Sequence, residues 1–101
     1  AMEKQRLMWE QFCQKYSGKL SAEETRASRE EALQMLEKKD TLPPIRLKIA
    51  KYISDGYTLE RNLPKALEYL EIARDADPES QAAKKLEPWI DNMRKHINQE
   101  K

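Results

Sequence analysis

Apolar residues recur along nearly the whole chain at spacings of three and four, the period of a helix with one buried face. The clearest stretch is 45 to 77. Ile45, Ile49, Ala50 and Ile53 share one face of a first helix, and Ala66, Tyr69, Leu70 and Ala73 share one face of a second. Between them Gly56 is placed to close a helix in a left-handed turn, and Asn62 ahead of Leu63-Pro64 reads as a helix start. Ala50, Ala66 and Ala73 carry so little bulk that two antiparallel helices can approach closely, with branched and aromatic neighbours filling the seam.

The same pattern extends to both sides. Trp9, Phe12, Cys13 and Tyr16 predict a helix over 3–17 that stops at Gly18, with Cys13 as a small, packed residue. Ser21 and Glu24 form a capping box, so a second helix starts near Ala22 and carries Ala32, Leu33, Met35 and Leu36 toward its end at Glu37-Lys38-Lys39-Asp40. Its opening turns, 23–31, are polar and are expected to face solvent or to dock only through Ala27. Thr41-Leu42-Pro43-Pro44 is a linker that ends one helix and starts the next. A last helix is expected from Asp77 as cap and Pro78 in the first turn, with Ala82, Leu86, Trp89, Ile90, Met93 and Ile97 as its stripe. Pro88 falls inside it. An interior proline costs about 3 kcal/mol, so the helix is expected to bend at Glu87 or to stop and restart.

The central stretch resembles the Sel1-like branch of the tetratricopeptide superfamily. Large apolar, small, two free positions, apolar, two free positions, Gly is matched by Ile49-Ala50, Ile53 and Gly56, and then Asn62, Lys65-Ala66, Tyr69 and Ala73 follow the family's second helix. Ala66, Leu70, Ala73 and Pro78 also follow the tetratricopeptide spacing. Thr58, Ile53 and Arg74 depart from the pattern, and the match spans about a third of the chain. A shift of 34 residues superposes Ala32, Leu36 and Pro44 on Ala66, Leu70 and Pro78, and one of 37 superposes Phe12, Cys13 and Tyr16 on Ile49, Ala50 and Ile53. The expected architecture is therefore all-α: a short stack of about five helices in a single domain, 1–101. Residues 3–40 form a first degenerate hairpin, 44–77 the Sel1-like hairpin and 78–99 a capping helix.

Composition narrows the function. The 101 residues suit one modest core, and charged residues make up 37% of them. With 19 Lys and Arg against 18 Asp and Glu, the net charge of +1 does not steer toward nucleic acid or an anionic membrane. No apolar run approaches the roughly 20 residues of a membrane span, so no membrane insertion is expected. One cysteine excludes an internal disulfide and slightly favours the cytoplasm. Ala1 ahead of Met2 has the form of a cloning remnant, which leaves an exported or periplasmic chain open if an upstream signal was removed. His96 and Cys13 are too few for zinc and lie far apart in sequence; two glycines, Gly18 and Gly56, cannot build a phosphate loop. No catalytic residue, cofactor or metal is expected.

The resemblance implies a non-catalytic module that binds a peptide or helix of another protein. Carried over by position, the first helix of each hairpin lines the binding face, which points to Leu7, Glu10 and Gln14 and then to Leu47, Lys51 and Ser54. Glu10 and Leu47 stand where a carboxylate clamp needs basic residues, so C-terminal carboxylates are not the expected ligand. The alternative is an obligate structural subunit that completes its core as a homodimer or hetero-oligomer through the exposed part of the Trp89, Ile90, Met93 and Ile97 stripe.

Overall fold

The computed structural model describes residues 2–99; Ala1 and the last two positions of the expected domain lie outside them. Five helices follow one another: α1 (Met2–Lys15), α2 (Ala22–Glu37), α3 (Pro43–Leu59), α4 (Leu63–Ala76) and α5 (Gln81–Gln99). No strand occurs among the described residues, so the chain is an all-α stack. Its extents of 43 × 35 × 21 Å make the thin dimension about two helix diameters.

Helix α3 is the hub. It packs most extensively on α4, then on α2, and more lightly on α1, while α4 also carries α5. Ala50, Ala66 and Ala73 are fully buried, as the small-residue seam requires, with Ile49, Ile53 and Leu70 beside them. Within the seam Ser54 is buried and its hydroxyl donates to the Ala66 carbonyl at 2.7 Å. Ile90, Leu86 and Ala83 close the far side, and Arg94–Glu71 and Arg74–Glu87 pairs at 2.7 and 3.5 Å tie α5 to α4 at the surface. Every buried side-chain polar atom among the described residues has a hydrogen-bond partner.

Helix ends follow their local chemistry, with instructive exceptions. Ser21 and Glu24 form the reciprocal capping box, and Asn62 Oδ1 accepts from the Lys65 N–H. Gly18 takes the left-handed turn after α1, φ 79°. Gly56 does not end α3. The helix continues to Leu59, and the left-handed position is Arg61, φ 61°, because the turn sits five residues nearer the α4 cap. At the start of α5 the cap is Ser80 rather than Asp77: Ser80 Oγ accepts from the Ala83 N–H at 3.1 Å, and Asp77-Pro78-Glu79 is a turn. Consequently the buried stripe runs through Ala83, not Ala82, which is exposed. Pro88 lies within one continuous helix. In α2 the polar opening turns dock through Ser28, buried with its hydroxyl donating to the Thr25 carbonyl, whereas Ala27 is exposed.

The two halves of the molecule are assembled differently. Along α3–α4 apolar packing is continuous. Helix α1 instead leans on α3 through an aromatic group: Trp9 stacks on Phe12 at 5.1 Å, and both meet the Tyr52 ring edge-on, at 5.9 and 5.1 Å. Polar contacts fasten its ends. Gln5 donates from Nε2 to the Asp40 carbonyl and accepts from the Leu42 N–H, satisfying the main-chain donor of the residue that precedes α3. At the other end Tyr16 donates to Glu31 at 2.6 Å, beside Lys15 at 3.3 Å.

Candidate partner-binding surfaces

The residues predicted to line the binding face do not form one surface. Leu7 is 52% exposed on α1, and Glu10 and Gln14 are exposed with it. On α3, however, Leu47 is only 6% exposed and Ser54 is buried against Ala66. Both are core residues. A helix with neighbours on several sides buries more than one stripe, so the residues two positions beyond Ile45 and one beyond Ile53 also turn inward. Lys51 is half-buried and engaged: its ammonium is 2.8 and 2.9 Å from the Asp55 carboxylate oxygens and 4.6 Å from the centre of the Trp89 ring. Along the middle of α3 the exposed residues are Lys48 and Asp55, with Cys13 of α1 near Lys48 and Trp89 of α5 over Lys51, and the last turn exposes Thr58 and Leu59.

Cys13 is exposed rather than packed, correcting its assignment to a seam position. Partial desolvation is the largest influence on its thiol and raises the pKa, the Lys48 ammonium lowers it and Glu10 raises it. The thiol thus stays protonated near neutrality, the opposite of what a nucleophile needs. Among the described residues no three His, Cys, Asp or Glu side chains converge as a metal site. His96 is exposed on α5. No helix among those residues is long and apolar enough to cross a membrane.

A better-formed surface lies between α1 and α2. Because the two polar fastenings and the aromatic group hold α1 onto the α2–α3 body without drawing its middle against α2, a groove remains between them. One section, about 280 Å³, is bounded by Lys4, Gln5, Met8, Met35, Lys38, Asp40, Thr41, Ile45 and Ile49. A second, about 410 Å³, continues past Met8, Phe12, Met35 and Lys38 to Gln11, Lys15, Glu31 and Gln34. Met8 and Met35 line both sections, and Met8 is 39% exposed. The floor of Phe12, Ile45 and Ile49 belongs to the core, so the groove opens directly onto it. At its far end the Glu31 carboxyl is held below the usual carboxylate value, first by the Tyr16 hydroxyl donating to it and then by Lys15.

A third cleft, about 430 Å³, lies between the 16–20 loop, the start of α2 and the last turns of α3, with Tyr16, Leu20, Ser28, Arg29, Tyr52 and Gly56 among its walls. Arg29 is not available there. Its guanidinium pairs with Glu60 and lies 4.4 Å from the centre of the Tyr57 ring, which in turn stacks on Tyr69 at 5.8 Å. This row welds α2, α3 and α4.

Sequence reasoning passed over Met8, Met35 and Gln5. Periodicity places Met35 on the core stripe of α2, and the aromatic residues that define the buried face of α1 leave Met8 outside it. A signal was present in the sequence: two flexible thioethers and two glutamines, Gln11 and Gln34, lie beside the predicted apolar stripes of the first two helices. Comparison of the chain with family models, curated proteins and solved structures returns no match.

Proposed function

We propose that the chain is a non-catalytic protein-interaction module, built as a Sel1-like or tetratricopeptide-type helical stack, that receives a peptide or helix of another protein. The observation that carries this reading is the open α1–α2 groove, apolar at its floor and polar at its rims. Methionine lips suit such a role, because an unbranched thioether refits to different partner side chains at small cost. The binding residues under this reading are Met8, Gln11, Met35 and Lys38, with exposed Leu7 beside them, in place of Leu47 and Ser54.

Selection from a displayed peptide library against the full chain, followed by amide chemical-shift mapping of the recovered peptides, tests the reading. Perturbations centred on Met8, Phe12, Met35 and Lys38 are expected. A recovered set that maps elsewhere, or no recovery at all, removes the groove as the site.

A second reading rests on Trp89, 55% exposed on α5, with the Lys51 ammonium over its ring. Under it the chain is a structural subunit that pairs through α5. Light scattering behind size exclusion tests its homodimeric form: a mass fixed at 11.9 kDa across concentrations excludes self-pairing.

A further inference from the structure

We infer that the α1–α2 groove selects acidic amphipathic segments, two or three apolar side chains entering between Met8 and Met35 with a carboxylate seated at the mouth near Lys4 and Lys38. The inference rests on the protein-binding reading and adds the chemistry of the partner. Its basis is the pairing state of the rim. At the far end Lys15 is already matched by Glu31, which also accepts from Tyr16. At the near end, among the described residues, neither the Lys4 nor the Lys38 ammonium has an acid within ion-pair distance, and both border the same apolar section. Asp40 is the single acid on that wall and is likewise unpaired, so the mouth keeps a cationic excess. Lys38 borders both sections and so stands where they meet.

Length adds a constraint. The walls run from Lys4 to Lys15 along α1, about 16 Å at the helical rise, which accommodates roughly three turns of a helix or five residues of extended chain. An occupant of that length presents apolar groups to Phe12, Ile45 and Ile49, amide partners to Gln11 and Gln34, and negative charge toward the Lys4 end. A basic amphipathic segment makes the same apolar contacts but meets two ammonium groups against the single Asp40 carboxylate at the mouth.

The test uses a random 16-residue peptide library displayed against the full chain and against a Lys4→Glu, Lys38→Glu double variant. Both lysines are exposed, and thermal melts by circular dichroism establish that the variant remains folded. Against the wild type, recovered groove-binding peptides should be enriched in Asp and Glu over Lys and Arg. Individual acidic peptides should bind roughly threefold to tenfold more tightly than versions with amide replacements, an advantage reduced by salt. Charge reversal in the groove should invert the preference. Peptides that bind the groove with no charge bias, or a bias untouched by the double variant, overturn the inference while leaving the protein-binding reading in place. No peptide recovery overturns both. Binding only to vesicles of anionic phospholipid, abolished by the double variant, assigns the cationic mouth to a membrane surface and overturns the inference.

Discussion

The α3–α4 hairpin and the α1–α2 pair carry comparable apolar patterns, yet one is sealed and the other is left ajar. In α3–α4 three alanines and Ser54 let the backbones meet, to the point that a side-chain hydroxyl reaches the opposite main chain. In the α1–α2 pair the position matching Ala66 is Ala32, also buried, but the one matching Ala50 is Cys13, exposed, the one matching Ala73 is Lys39, and Met8 and Met35 line a groove. Aromatic bulk at Trp9 and Phe12 directs α1 onto Tyr52 of α3 instead of onto α2. Small residues therefore do more than fill space in this stack: they decide which neighbour a helix adopts. Where they are missing, the contact is made by rings and polar ends and the middle stays open to a partner.

That contrast breaks most readily at paired leucines. Leu47→Ala is expected to cost about 2–5 kcal/mol by leaving a cavity in the sealed half. Leu7→Ala should change stability by no more than about 0.5 kcal/mol; urea unfolding of both compares them directly. Equal effects would mean the two halves are packed alike. Next in size is overpacking at corresponding positions. Ala50→Leu should destabilise by about 1–3 kcal/mol, whereas Cys13→Leu should be close to neutral, read from thermal melts.

Removal of Gln5 tests the fastening of α1. Gln5→Ala takes away both bonds to the 40–42 linker and should cost about 1 kcal/mol, concentrated in amide exchange of α1 and the first turn of α3 and leaving α4 protected. In the opposite direction, Gly56→Ala should stabilise the sealed half by about 0.5–1 kcal/mol. Gly56 is helical, its φ is not positive, and an added methyl group meets nothing within 4 Å.

The smallest effect is a titration. Because the folded state holds Glu31 below its ordinary value, through Tyr16 first and Lys15 second, its contribution is present above the ordinary carboxylate pKa and is lost as pH falls through the folded value. Protection of α1 amides should therefore decline in acid ahead of α3 and α4. Simultaneous loss in all helices would show that the Glu31 fastening does not govern α1 separately.

The sequence by itself determined the helices. Periodicity located all five, the capping box and Asn62 fixed two starts, and the alanines marked the tight seam, since these depend on residues within a few positions of each other. It also pointed to Trp9 and Phe12 as core. Tertiary structure alone decided which faces remain outside. Leu47 and Ser54 looked exposed because a single period describes a single buried stripe, and α3 has neighbours on more than one side. Gly56 looked like a stop because a glycine's freedom can be used or left unused, and the turn geometry used Arg61 instead. The groove was legible only in part: its residues sit on two helices, and whether those helices close on each other depends on a third. A pattern along one chain encodes what each helix can bury, while the order in which neighbours compete for those faces is settled only when all five are packed together.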